Sequence, residues 1–162
     1  MNLTVDVQIA TDDDDHPPPA KIEQWVSAAL EFHSAQQVMD EAELTVRIVN
    51  ETDITQLNTD YRNKSQSTNV LSFPADLPDH IELPLLGDLI ICTAVVARES
   101  RQQNKPSHDH WAHMVIHGTL HLLGYDHIDD QQANIMESLE IDILSSLDIS
   151  NPYLTPNNIV NL

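Results

Sequence analysis

A chain of 162 residues is long enough to bury one substantial core and too short for two comfortable ones. Its 26 acidic and seven basic residues give a formal net charge of −19, which excludes the broad basic surface that gathers nucleic acid or anionic membranes at long range. A single cysteine, Cys92, excludes an internal disulfide and suits a reducing compartment. No stretch has the apolar length of a membrane span, and the opening residues lack a basic-then-apolar export signal, so a cytoplasmic protein is expected.

Leu3, Val5, Val7 and Ile9 alternate with polar residues, the period of a half-buried strand. The aspartates at 12–15 and prolines at 17–19 make a stiff acidic connection. Ile22, Trp25, Val26, Ala29 and Leu30 then trace one helical face. Leu44, Val46 and Ile48 give a second strand. A short helix follows, with Thr52 expected as its cap and Ile54, Leu57 and Tyr61 turned inward. After a polar loop, Val70 to Phe73 read as a short buried strand that Pro74 ends. Pro74, Pro78 and Pro84 mark a long loop before Leu89-Ile90-Ile91-Cys92, a run continuous enough for a fully buried strand. Cys92 there is a small core residue rather than a nucleophile. Thr93 is expected to cap a helix with Arg98 and Arg101 on one face. Pro106-Ser107 opens the next helix, with Trp111, Met114, Val115 and Leu122 as its apolar contacts. Asp129 or Asp130 caps the last, whose buried stripe is Ile135, Met136, Leu139, Ile143 and Leu147. Pro152 and Pro156 end the order, so 151–162 are expected to form a loose tail. The sum is one domain over 1–162 of the α+β (α/β-like) class, a small mixed sheet of about four strands packed with helices.

The chemistry concentrates between His117 and His127. His117 and His121 are four apart and share one helical face, so both imidazoles can reach a single metal ion. Gly124 follows Leu122-Leu123, where a helix commonly ends in a left-handed residue, and His127 can then swing back. A buried histidine is usually a satisfied core residue, and pairs at this spacing arise by chance. A third histidine beyond a helix-ending glycine tips the reading to a metal site. Three imidazoles with an open fourth position suit a catalytic zinc, while closed structural sites usually use thiolates. Nickel and copper suit the same ligands. His113 lies about 12 Å from His121 along the helix axis, too far to share an ion, so its role is supporting or packing. His108 and His110 fall near the helix start.

The spacing H-x-x-x-H-x-x-G-x-x-H is that of the metzincin proteases, where the residue after the first histidine is the glutamate base. Here it is Gly118, so peptide hydrolysis lacks its base, and the missing side chain leaves room for a bulky substrate beside the metal. Such an ion can still polarise a phosphoryl oxygen, and Arg62 is the best candidate to hold the phosphate. Read alone, Arg62 also serves as a helix-end cation neutralising Asp60. Arg62, Lys64, Arg98, Arg101 and Lys105 cluster within one part of the chain, which allows a local basic patch on an acidic body.

Together with Tyr61-Arg62, Thr68-Asn-Val-Leu-Ser-Phe-Pro74 and Leu86-Gly-Asp-Leu-Ile90, the histidine motif closely resembles the YbeY family of bacterial endoribonucleases and rRNA maturation factors. The resemblance runs in order through most of the chain. It implies one zinc held by His117, His121 and His127, and metal-dependent cleavage of single-stranded RNA. It further implies roles in 16S rRNA 3′-end maturation and ribosome quality control, with Arg62 holding the RNA phosphate. The expected partners are therefore single-stranded rRNA and the ribosome or its proteins, with Lys64, Arg98, Arg101 and Lys105 as further RNA contacts. Asp126 is expected to orient a ligand imidazole or act as a base, the former being the commoner role. Where many members carry lysine and proline before Thr68, this chain has Gln66 and Ser67, which lowers the charge of that loop. Two other readings compete: a metzincin-like peptidase, which Gly118 opposes, and a non-catalytic assembly factor whose zinc only locks the C-terminal helices.

Overall fold

The computed structural model describes residues 2–34, 40–78 and 83–154. In chain order these form β1 (Asn2–Ala10), α1 (Pro19–Ser34), β2 (Glu41–Val49), α2 (Glu51–Arg62), β3 (Val70–Pro74), β4 (Leu85–Cys92), α3 (Thr93–Gln102), α4 (Ser107–Leu122) and α5 (Asp130–Ser146). The sheet runs β1-β2-β4-β3, with β1, β2 and β4 parallel and β3 antiparallel at the edge. The expected four-stranded mixed sheet and α+β class are what the chain adopts.

The continuous apolar run of β4 and the alternation in β2 place Leu44, Val46, Ile48, Leu89 and Ile91 against one layer of helices. That layer is α1, α4 and α5, and α4 lies at its centre, with Trp111, Val115, Ile116 and Leu120 essentially unexposed. Each such side chain contributes about 1.5–3 kcal/mol by leaving water. The opposite sheet face carries a smaller cluster of Val49, Ile54, Leu71, Ile90, Cys92 and Val95 beneath α2 and α3. Packing therefore holds α4 on several sides and leaves its C-terminal end to carry polar chemistry.

Four local expectations change. Asn50, not Thr52, caps α2: its Oδ1 accepts from the Asp53 N–H at 2.8 Å, because β2 ends at Val49 and the helix already begins at Glu51. Thr93 is the first residue of α3 rather than its cap, since β4 runs straight into the helix and no side chain caps that end. Tyr61 is 67% exposed, edge-on to Phe73, because the last turn of α2 passes the sheet edge instead of lying over it. On α5 the buried face is rotated: Ile135 is half exposed, while Glu140 and Leu144 join Met136 and Ile143 inside.

Gly87 sits in β4 at φ 139°, beside a register shift between Glu43 and Leu44, where β3 backbone crowds it. Residues 151–154, the start of the expected loose tail, are tied down: Lys105 Nζ donates to the Pro152 carbonyl at 2.6 Å. The remainder of that tail lies outside the described residues.

Candidate metal centre

The end of α4 builds the site. Gly124 N–H donates to the His121 carbonyl and Tyr125 N–H to the Leu120 carbonyl, both at 3.0 Å, the paired closure of a Schellman turn. Gly124 takes φ 101° in open space, so glycine is needed for its backbone and not for room. The reversal returns His127 to the helix. One ring nitrogen from each of His117, His121 and His127 lies within 4.8 Å of the others, as the spacing implied.

The donor set fits a metal ion. His117 Nε2 and His121 Nε2 face each other at 3.1 Å, near the roughly 3.4 Å that tetrahedral donors take at bonds of about 2.1 Å. Burial, then the neighbouring His117 and His127, lowers the His121 pKa and favours the neutral form that binds metal. His117 Nδ1 donates to Glu140 Oε1 at 2.9 Å, which leaves Nε2 unprotonated on the side of His121. The three candidate donors thus lie on one helix end and the turn after it.

Glu140 is the residue sequence reasoning missed. It is 1% exposed and also accepts from His113 Nε2 and from the Tyr153 hydroxyl. Burial alone would raise its pKa; hydrogen bonds from His113 and His117 outweigh that and hold it at about 2. Its signal was a carboxylate on the apolar stripe of α5, one turn after Met136 and three residues before Ile143. Asp126 lies beside the third histidine: its Oδ1 accepts from the His127 backbone N–H at 2.8 Å and lies 4.0 Å from Nδ1 of that ring. It shapes the turn.

Further up α4, His108 stands at the start of the helix beside Asp109, whereas His110 is buried with Nε2 on Glu99 Oε1 at 2.9 Å. Glu99 also accepts from Asn69 Nδ2 at 3.0 Å, and Asn69 Oδ1 accepts from the Val70 N–H. This chain of contacts fixes the start of β3. Burial would raise the Glu99 pKa, but the His110 and Asn69 hydrogen bonds win and lower it below 4.5. A carboxylate depressed on folding adds stability above its unfolded pKa and loses it as pH falls toward the folded one. Glu99→Gln is expected to flatten the decline of stability below about pH 4.5, measured by urea unfolding across roughly pH 3 to 6. An acid limb identical to the parent's would contradict that role.

A cleft of about 660 Å³ joins the three histidines to Arg62, Lys64, Asn69 and Ser72. Arg62, the last residue of α2, donates Nη2 to the Ser72 carbonyl at 2.9 Å and lies 5.8 Å over the Phe73 ring. Asp60 instead takes the Gln56 amide, so Arg62 is not spent on it. Arg98 pairs with Glu51 through both carboxylate oxygens, Lys105 holds Pro152, and Arg101 is exposed on α3. Arg62 and Lys64 line the cleft with the histidines; Arg98, Arg101 and Lys105 do not. A groove of similar volume over the opposite sheet face, lined by Thr45, Arg47 and Asp88 among others, contains none of the histidines.

Gly118 also takes a different part from the one expected. A Cβ there would sit 2.9 Å from Leu89 Cδ2 and 3.3 Å from Ser72 Oγ, so glycine lets α4 lie close on β3 and β4. It is not among the residues lining the cleft that holds the three histidines. Gly118→Glu restores the metzincin pattern, yet it forces a carboxylate into this packing and is expected to cost about 3 kcal/mol or more. Calorimetry should show a melting temperature lower by roughly 6–12 °C, with no casein cleavage gained. A melting point equal to the parent's would refute the packing account.

The model of the family Endoribonuclease YbeY matches residues 8–148. The chain belongs to that family. Membership in the YbeY family implies an endoribonuclease acting in rRNA processing, with RNA as substrate. The fold is also similar to the solution structure of TM1509 from Thermotoga maritima, at 22% identity and a TM-score of 0.55, covering 88% of this chain and 91% of that one. No described helix is long and apolar enough to cross a membrane.

Proposed function

We propose that this YbeY-family chain is a zinc-dependent endoribonuclease for single-stranded RNA. It acts in the cytoplasm, in 16S rRNA 3′-end maturation and ribosome quality control, in contact with ribosomal proteins. The observation that carries the reading is one cleft in which three convergent imidazoles share a wall with Arg62. His117, His121 and His127 would hold the ion; zinc suits three neutral nitrogens and an open position, although nickel and copper accept the same donors. When bound, such an ion supplies a Lewis acid for a phosphoryl oxygen and makes water nucleophilic near neutral pH.

The chain's own groups do the rest. Arg62 keeps donors beyond the one given to Ser72, and its planar fork suits a phosphate. Lys64 adds a second positive charge at the same wall. Unstacked RNA can bend into a cleft of this size more easily than a rigid duplex. On a body of net charge −19 these few cations act locally, and docking to a ribosomal protein supplies what long-range attraction does not.

The peptidase reading is weaker on a specific contact. Arg62 occupies the carbonyl of Ser72, on the edge strand beside the metal where an added peptide strand would pair. Gly118 supplies no base.

Arg62→Glu tests the proposal. Cleavage of a single-stranded RNA should fall to background while metal content and circular dichroism stay as in the parent. Cleavage at the parental rate would remove Arg62 from the phosphate and favour the assembly-factor reading. Within the same assay, Lys64→Ala should lower the single-strand salt slope by about 0.7, whereas Arg98→Ala with Arg101→Ala should leave it nearly unchanged.

A further inference from the structure

The short segment that follows α5 returns to the base of the histidine helix. Tyr153 Oη donates to Glu140 Oε2 at 2.7 Å and lies 3.4 Å from His113 Nε2, while Lys105 pins the neighbouring Pro152 carbonyl. Glu140 therefore collects donors from three places: His117 on Oε1, and His113 and Tyr153 on Oε2. We propose that Glu140 and Tyr153 are positioning residues of the metal centre, through which the C-terminal segment sets the orientation and tautomer of His117.

The carboxylate torsion of a glutamate is soft, so burial alone does not aim it. Two donors on Oε2 leave Glu140 one orientation, and in it Oε1 meets Nδ1 of His117. With Nδ1 protonated and held, Nε2 faces His121 as a lone pair. Removing the phenol hydroxyl deprives Oε2 of one donor and frees the carboxylate to rock. Removing the carboxylate's charge loosens the imidazole itself. Partners of this kind, one bond away from the ligands, commonly change metal affinity by about 10–100-fold.

A second arrangement of the same atoms is possible, since His113, His117 and Glu140 also meet closely enough to hold an ion. Hydrogen bonds already occupy His113 Nε2, His117 Nδ1 and both carboxylate oxygens, and an ion between those atoms would have to displace them. The positioning role needs no such displacement. A purely structural role, knitting α4, α5 and the tail, is the remaining alternative. It predicts lower stability of the metal-free chain with no change in how a folded chain binds metal.

The inference rests on the three-histidine metal reading and not on the RNA reading. The experiment uses the full chain and its Tyr153→Phe and Glu140→Gln variants, all folded by circular dichroism at the assay temperature. Zinc affinity is read by competition with a chelator, and ligand geometry by the visible absorption of the cobalt(II) form. Glu140→Gln should bind zinc about 10–100-fold more weakly and Tyr153→Phe roughly three- to tenfold more weakly, each with a shifted cobalt band. Parental affinity and an unchanged band in both variants overturn the proposal. Weakening in Glu140→Gln alone removes Tyr153 from it. If Glu140→Gln does not fold, Tyr153→Phe decides the matter by itself. A parent chain that binds neither metal refutes the metal reading instead.

Discussion

His121→Ala is expected to bind zinc at least on the order of a hundredfold more weakly than the parent and to lose most of its metal on purification. His121 is the central member of the three histidines: its ring lies 4.6 Å from that of His117 and 5.1 Å from that of His127, while those two are 5.9 Å apart. Without it the remaining pair leaves a donor set too sparse and too wide for tight binding. The fold should persist, because the core of α4 is built from Trp111, Val115, Ile116 and Leu120, and His121 is only partly buried. Elemental analysis beside chelator competition gives the readout. A full equivalent of metal in a folded His121→Ala chain would sink the ligand assignment.

Gly87→Ala should produce the largest loss of stability among single-atom additions to the glycines. The added Cβ would stand 2.2 Å from the Phe73 carbonyl oxygen and 2.9 Å from both Ala75 N and Pro74 Cα. All three are backbone atoms, which cannot swing aside as a leucine tip can. The residue would also be held at φ 139°, a conformation that L side chains rarely adopt. Strain and overpacking each cost about 1–3 kcal/mol, so a total near 4 kcal/mol is expected, or roughly 10 °C in melting temperature. Relief requires β3 to move off β4, and β3 carries Ser72 and the wall that faces the histidines. Gly124→Ala is the natural comparison, since its φ is also positive but its surroundings are empty. It should cost only about 1–2 kcal/mol. A Gly87→Ala chain melting within about 2 °C of the parent would show that β3 yields more easily than this geometry implies.

What the sequence made legible was local. The histidine spacing, the helix-ending Gly124 and the alternation in β1 and β2 depend on neighbours within a turn or a strand, and each is where the pattern put it. Glu140 was hidden because its partners are 23 and 27 residues away, and as one acid among 26 it carries no mark of burial. The same distance concealed Arg98 on Glu51 and Lys105 on Pro152, each a contact across 47 residues. Pattern alone counted both as free cations. Asp129 caps α5 as expected, but the caps of α2 and α3 failed for a subtler reason: which residue caps a helix depends on where the preceding strand lets go, and β4 does not let go before α3 begins. Gly118 was read from the metal side, whereas its missing Cβ points at Leu89 and Ser72.

The Schellman closure of α4 makes the three-histidine set an opening and closing unit. His127 meets His117 and His121 only while Gly124 N–H and Tyr125 N–H hold the last carbonyls of the helix. An ion shared across that turn would act as a latch on helix fraying, which is otherwise among the lowest-energy openings in a protein. The Gly124 and Tyr125 amides should therefore exchange with deuterium more slowly in the metal-loaded chain. Those of Val46 and Ile48 in the buried parallel sheet should exchange at unchanged rates.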